Sequence, residues 1–359
     1  MNEPAWILYG ANGFTGQRIA EEAVRRGQRP ILAGRDRAAI EALAEGLGCP
    51  SRVFDLADPA GLSRSLSDVR GVLNCAGPFG HTAAVMIEAC LRVGVHYLDI
   101  TGEIDVIEWA AAQHEQALRA GVTLLPAVGF DVVPSDCLAA MLAARLPGAR
   151  RLELAFTGAG QMSRGTARTV VEALPHGGRV RQEGRIVRVP LAWKAMEVPF
   201  QDGRRWTTTV PWGDVASAWW STGIPNVEVY MAMPEPQIRW MQRLRGLAGL
   251  ALALLPRDLL AGLLRKALSS SKGGQPAQGS LWGRVSDATG QSVQATLITP
   301  EPYQLTVLTA LAAVERVWKL SAAGFQTPSR LFGAAFVLEI PGVEFRELPG
   351  AADAACGGS

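Results

Sequence analysis

The chain has 359 residues, 48% of them hydrophobic, with a formal net charge of +2. That length suggests two domains, and the hydrophobic share argues against global disorder and for a large core. The charge is spread without a basic stripe, which argues against a nucleic-acid binder, and the five cysteines lack CxxC or Cys/His spacing, which argues against a disulfide framework or metal site and fits a reducing, cytoplasmic setting.

The chain opens with Trp6-Ile7-Leu8-Tyr9, four large apolar residues that run into Gly10-Ala11-Asn12-Gly13-Phe14-Thr15-Gly16. Ile19, Ala20, Ala23 and Val24 then recur at helical spacing until Gly27. This is strand, tight turn and helix, the setting in which glycine spacing has meaning. Gly10 permits the sharp exit, Gly13 lets backbone approach a pyrophosphate, and Gly16 lets the helix pack closely. The helix N-terminus holds the anion. Gly10, Asn12, Gly13, Phe14, Thr15 and Gly16 are therefore expected to bind a dinucleotide. A second strand, Pro30 to Ala33, leads to Gly34-Arg35-Asp36-Arg37. An NAD site would place a carboxylate here for the ribose 2′-OH. A guanidinium instead suits a 2′-phosphate, so the expected cofactor is NADP(H), with Arg35 its phosphate ligand and Arg37 a further candidate.

Asp36 to Leu47 reads as a helix and Arg52 to Phe54 as a third strand, ending at Asp55. That acid suits either an adenine contact or a turn. Asp58-Pro59 reads as an N-cap with proline at the first helical position. The strand Gly71 to Asn74 ends in Cys75-Ala76-Gly77-Pro78-Phe79-Gly80. Ligands of a doubly wound sheet lie at such strand ends, so Ala76, Gly77, Pro78 and Phe79 are expected beside the cofactor, with Pro78 and Phe79 as a wall. Thr82 to Val93 is helical. His96 to Glu103 forms a strand with a polar exit: Tyr97, Asp99 and Thr101 share one face, and the direction of Glu103 is open. A helix runs to Gly121, then a strand from Val122 to Val128 meets Gly129-Phe130-Asp131. Ser135 or Asp136 is expected to cap a helix from Cys137 to Leu146. Asp131 suits a catalytic acid or a structural turn.

From about Arg151 the pattern alternates with period two over Arg151–Phe156, Ile186–Val189, Arg205–Val210 and Asn226–Ala232, with helical pieces such as Gly165–Leu174 between. Trp193, Phe200, Trp206, Trp212, Trp219, Trp220 and Tyr230 gather there, as core or as the wall of a site for a bulky apolar substrate. Residues 237–272 are basic and leucine-rich, too short in each half to span a bilayer. They suit either peripheral lipid contact or a packed helical hairpin. Ser269 to Ser280 reads as a linker. Ser280–Asp287 and Gln291–Thr299 form a hairpin, Leu305–Ala323 a helix, Thr327-Pro328-Ser329 the start of a short helix and Phe336–Ile340 a last strand. The tail 349–359 should fray.

These motifs resemble the saccharopine dehydrogenase-like oxidoreductases, in the branch that includes trans-acting enoyl reductases of lipid and polyketide assembly. The resemblance rests on the glycine turn, Gly34-Arg35, Asn74 to Phe79, Tyr97 to Glu103, Gly129 to Asp136, Ser221 to Asn226 and Gly324 to Pro328. It implies an α/β fold: a Rossmann-type doubly wound parallel sheet over residues 1–147, and an α+β domain on a mixed, largely antiparallel sheet over 148–302. A C-terminal helix around 303–335 would return to the first domain. The expected activity is NADPH-dependent reduction of a conjugated C=C in a hydrophobic substrate, free or carrier-bound, by a cytoplasmic homodimer. Tyr97, Glu103 and Asp131 are the candidate acids. The alternatives are C=N reduction of a saccharopine-type imine, for which Arg164, Arg168 and Arg179 are the available arginines, and a non-catalytic NADP(H)-binding protein at a lipid surface.

Overall fold

A computed structural model describes residues 5–157, 177–243, 278–320 and 322–349. The helix expected at Gly165–Leu174, Arg164, Arg168, most of 237–272, the linker up to Ala277 and the tail beyond Pro349 lie outside the described residues; the last three linker residues, Gln278 to Ser280, are strand instead.

The first six strands are β1 (Trp6–Tyr9), β2 (Ile31–Gly34), β3 (Ser51–Val53), β4 (Gly71–Asn74), β5 (His96–Asp99) and β6 (Thr123–Leu125). Between them run α1 (Phe14–Arg25), α2 (Arg37–Leu47), α3 (Pro59–Leu66), α4 (Ala83–Val93), α5 (Ile104–Ala112) and α6 (His114–Ala120). Next come α7 (Val133–Arg145), β7 (Arg151–Phe156), β8 (Gly178–Gln182), β9 (Arg185–Val189), β10 (Ala195–Phe200) and β11 (Gly203–Thr209). They lead to α8 (Asp214–Thr222), β12 (Asn226–Ala232), α9 (Glu235–Arg243), β13 (Gln278–Ser286), β14 (Ser292–Pro300) and α10 (Pro302–Val317). The described chain closes with β15 (Gly324–Phe325), α11 (Pro328–Phe332) and β16 (Glu344–Leu348). Among the described residues no helix is long and apolar enough to cross a membrane.

Two compact units result. The first holds residues up to Val133 together with Tyr303–Leu331, and the second holds Pro134–Pro302 and the residues from Phe332. The first unit is a seven-stranded sheet in the order β15-β6-β5-β4-β1-β2-β3. All its pairings are parallel. β1, β2 and β4 are buried at every position, as a sheet covered on both faces requires. Helix α1 buries Gly16, Ile19, Ala20 and Ala23, one helical stripe. Helix α2 is capped by Asp36, whose Oδ1 accepts the Ala39 N–H at 3.1 Å, and ends on Gly48 at φ +61°. Asp58 caps α3 in the same way, with Pro59 first in the helix.

The return of the chain after α10 has a visible cause. The Trp318 ring lies against Gly71, where any side chain would collide with it. Gly324 and Phe325 then extend the sheet beside Thr123 and Leu124.

The second unit carries a mixed sheet in the order β10-β11-β12-β7-β13-β14-β16, with β8 beside β12 and β9 beside β8. Only β12 and β7 run parallel among its described pairs. Glu228 and Glu153 are register neighbours, and Arg284 faces Glu153 from β13. All three share a face with the packed cluster Ala155, Val198, Phe200, Tyr230 and Trp282. Buried acids persist there because each is paired. Glu228 accepts Lys194 Nζ at 2.6 Å and the Tyr230 hydroxyl at 2.5 Å, and Glu153 holds Arg284 at 2.6 Å. Phe200 and Tyr230 are thus core residues.

Several boundaries differ from the sequence reading. Helix α7, expected in the first domain up to 147, belongs to the second unit, because Leu138 and Leu142 fill the space that Gly283 leaves on β13. It begins at Val133 rather than Cys137, so Ser135 and Asp136 lie in its first turn, and Asp136 accepts the Ser221 hydroxyl. The strand expected at Phe336–Ile340 is a 3-10 turn over Phe336–Glu339, and the last strand is β16. Gly333 and Gly342, both at positive φ, turn the chain on either side.

Candidate active site

The glycine turn is built by close backbone contacts. Gly10 sits at φ +77°, and a Cβ there would stand 2.8 Å from the Ala76 nitrogen. Its N–H donates to the Ala33 carbonyl at 2.8 Å, and the Gly13 N–H donates back to the Gly10 carbonyl at 3.0 Å. Gly16 leaves room for that same carbonyl, which a side chain would strike. The closest packing made by Gly16 is thus onto the turn. Helix α1 starts at Phe14 with no side-chain cap and no acid in its first turn. Its first N–H groups and its positive end are the chemistry an anion needs. Asn12, Gly13 and Phe14 are exposed and Thr15 partly so.

Arg35 follows β2 and is exposed, while Arg37 pairs with Glu41 one helical turn on, at 2.7 Å. At the end of β3, Asp55 Oδ1 accepts the Ala57 N–H at 2.9 Å, so its carboxylate shapes a turn. Phe54 stacks on Tyr9 at 4.9 Å between centroids. Burial, and then the Asp55 charge, push the Tyr9 hydroxyl up to about 12 against the opposing pull of Arg35.

The loop after β4 is pinned at both ends. Asn74 Oδ1 accepts the Ala76 N–H at 3.0 Å, and the Thr82 hydroxyl donates to the Ala76 carbonyl at 2.8 Å. Asn74 Nδ2 donates to Thr82 and, at 3.4 Å, to the Tyr97 hydroxyl. Beyond Gly77 and Pro78, the N–H groups of Phe79 and Gly80 each donate to one oxygen of Glu103, both at 2.8 Å. Glu103 is therefore a clamp on this loop. Its direction, open in the sequence, is toward the turn expected to wall the cofactor.

Tyr97 and Asp99 do share a strand face, and they bond: the hydroxyl donates to Asp99 Oδ2 at 2.6 Å. Asp99 Oδ1 accepts the N–H groups of Thr101 and Ala127 at 2.9 and 2.8 Å. Burial pushes Asp99 up to about 6 in spite of these donors, and pushes Tyr97 well above the ordinary phenol range. Tyr97 is fully enclosed with its proton already engaged, so it acts as a brace rather than an accessible acid. The Asp99 bond holds Ala127 at φ +63°, a region that residues with a side chain rarely adopt.

From the other side, α10 fixes the loop that carries Asp131. The Phe130 N–H donates to Thr306 Oγ1 at 3.0 Å, and the Thr309 hydroxyl donates to the Val128 carbonyl at 2.8 Å. Asp131 lies against Gly102, where a Cβ would come within 2.8 Å of its Oδ2. Burial first, and the Glu103 charge second, raise its carboxyl to about 7. Such a group holds and releases a proton near neutral pH. The loops after β4, β5 and β6 thus meet through Glu103, Asp99 and Asp131, on the strand ends where the glycine turn, Arg35 and Asp55 also stand. Asn74, Thr82, Asp99 and Thr101 were missed as site-building residues. An Asn that ends an apolar strand before a small-residue loop was the available signal.

Residues 6–125 match the family described as the saccharopine dehydrogenase NADP binding domain. The human saccharopine dehydrogenase-like oxidoreductase is 33% identical over 150 residues, which take in 36% of this chain and 35% of that protein. The trans-acting enoyl reductase of Mycobacterium ulcerans is 32% identical over 138 residues, 36% of this chain and 33% of that protein. The chain therefore matches about a third of the length of these relatives. In fold, it is similar to apo saccharopine dehydrogenase (L-Glu forming) of Saccharomyces cerevisiae, at TM-score 0.65 and 12% identity, over 97% of this chain and 100% of that one. The residues of the NADP-binding domain fit the cofactor. The uncapped helix start lacks an acid that would repel phosphate, and the exposed residue after β2 is a cation, Arg35, rather than an acid.

Proposed function

We propose that the chain is an NADPH-dependent oxidoreductase that reduces a conjugated C=C bond in a hydrophobic acyl or polyketide-like substrate, free or carrier-bound. The observation that carries this reading is Asp131, a carboxyl raised to about 7 at the strand ends of a dinucleotide-binding sheet. The kinship with an enoyl reductase over the same domain supports the bond type. Bound NADPH would supply the hydride. Asp131 gives its proton to the substrate α-carbon, and solvent returns it. Glu103 keeps Phe79 and Gly80 in place and keeps Asp131 protonated. Tyr97 and Asp99 hold the Ala127 end of the Asp131 loop.

The test is NADPH oxidation with a panel of enoyl thioesters, enones and preformed imines. The expected outcome is turnover of the first two, with a rate that falls as pH rises above about 7, because the acid must carry its proton. Asp131→Asn should lower turnover by about 100-fold, the low end of the range for a general acid. Turnover of imines alone would replace this reading by C=N reduction. Tight NADPH binding with no turnover of any class would favour the non-catalytic reading.

A further inference from the structure

We propose that Asp99 is a positioning residue for Asp131 and acts only while it is ionised: its carboxylate imposes the left-handed turn at Ala127 that seats the Asp131 loop. The proposal rests on the reading of Asp131 as the proton donor.

The hydrogen bonds around Asp99 all run one way. Asn74 Nδ2 donates to the Tyr97 hydroxyl, and that hydroxyl donates to Asp99 Oδ2 at 2.6 Å. Oδ1 takes two further protons, from the N–H groups of Thr101 and Ala127. Three donors thus converge on the carboxylate. A protonated Asp99 would bring a fourth proton into the same space, and Tyr97 would have to turn its own proton away to accept it. The titratable groups that face Asp99 are Tyr97 on its own strand, Glu103 on the loop beyond and Cys75 at the exit of β4. None of the three is a cation, so hydrogen bonds hold the charge against the burial that pushes Asp99 up to about 6.

The strain sits one strand over. Asp99 grips the exit of β6 twice, with Oδ1 on the Ala127 N–H and with its backbone carbonyl on the Val128 N–H, both at 2.8 Å. Ala127 stands there at φ +63°, which an alanine disfavours. Beyond it, Thr309 and Thr306 on α10 hold the Val128 carbonyl and the Phe130 N–H, and the chain reaches Asp131. The threonines carry no charge, so Asp99 is the part of this anchor that responds to pH. Once it is protonated, Oδ1 is a weaker acceptor, Ala127 relaxes toward negative φ, and Asp131 leaves its seat against Gly102. The site then works in a band of pH, bounded above by the proton on Asp131 and below by the charge on Asp99.

The experiment follows Asp131 directly, by carbon NMR of the full chain labelled at its aspartate carboxyls, with the resonance assigned by its loss in Asp131→Asn. In the wild type it should titrate at about 7. Asp99→Asn, which is neutral at every pH, should lower that midpoint by about one pH unit or more, because the Asp131 carboxyl moves into water. Adding Ala127→Gly should restore it, because glycine takes a positive φ without help. An unchanged midpoint in Asp99→Asn would overturn the proposal. So would a fall that Ala127→Gly leaves in place, which would mean that the Asp99 charge acts on Asp131 directly. In turnover of an enoyl thioester, the wild-type rate should drop below about pH 6, and Ala127→Gly alone, which keeps Asp99, should weaken that drop. A drop of the same size would count against the turn. Asp99→Asn should cut kcat by about tenfold, and the added glycine should recover most of the loss. If the NMR pattern holds and no enoyl substrate turns over, the reaction assigned to the site fails and the placement of Asp131 by Asp99 stands. A wild-type midpoint in the ordinary carboxylate range would remove both.

Discussion

Asp131 carries its proton near neutrality because burial penalises its charged form and Glu103 adds a like charge nearby. The same shift is a statement about stability. Its folded value, about 7, lies above the ordinary 3.8, so the folded chain binds this proton more tightly than the unfolded chain. The stabilisation is complete below the lower value and is lost as pH rises through the upper one. Asp131→Asn, which has no charge to bury, should therefore gain in Tm over the wild type as pH goes from 5 to 8. A constant difference across that range, measured by thermal melts, would show that the carboxyl does not titrate there. Arg35 is tested by cofactor choice. Arg35→Ala should weaken NADPH by at least about tenfold and NADH by far less, because a guanidinium on phosphate forms strong, charge-assisted bonds. Equal loss of both, by fluorescence titration, would remove Arg35 from the 2′-phosphate site.

At the scale of single elements, the turn between β1 and α1 has the least tolerance for change. Gly10→Ala combines a positive φ with a Cβ 2.8 Å from backbone of the neighbouring strand exit, which cannot rotate away. It should cost about 2 kcal/mol or more in urea denaturation and weaken NADPH binding along with it. This turn was legible in the sequence because its logic is local: apolar strand, spaced glycines, apolar helix. The caps at Asp36 and Asp58 were legible for the same reason. The hairpin of β13 and β14 is another such case, with Gly290 at φ +89° and Asp287 accepting the N–H groups of Thr289 and Gln291. Glu103 was not legible in the same way. Its partners are more than twenty residues back, and nothing between them encodes the meeting. The bonds from α10 to the Asp131 loop join residues nearly two hundred positions apart. Strand β15 is only two residues long, with no period to detect, and its place depends on His114 accepting the Phe325 N–H and on the open edge of β6.

At the scale of the whole molecule, the first unit is discontinuous. Residues up to Val133 supply six strands, and Tyr303–Leu331 supply the seventh together with most of α10, which fixes the Asp131 loop. Residues 1–133 alone would leave the β6 edge bare, Gly71 without its Trp318 cover and the Phe130 N–H without Thr306. Such a fragment should neither melt cooperatively nor bind NADPH. A single chain that joins 1–133 to 303–331 through a flexible linker should recover both. Binding by the short fragment, at an affinity like that of the full chain, would show that the returning segment is dispensable.

The late arrival of β15 also has a meaning in time. About 200 residues are translated between Leu125 and Gly324, which at ribosomal speeds takes about 10–40 s. For that interval, the six strands already made wait for the segment that completes their sheet, with the β6 edge unpaired, while the second unit is still emerging. The nascent chain thus has a window in which a chaperone, or another nascent copy, competes with its own distant segment for the same row of hydrogen bonds.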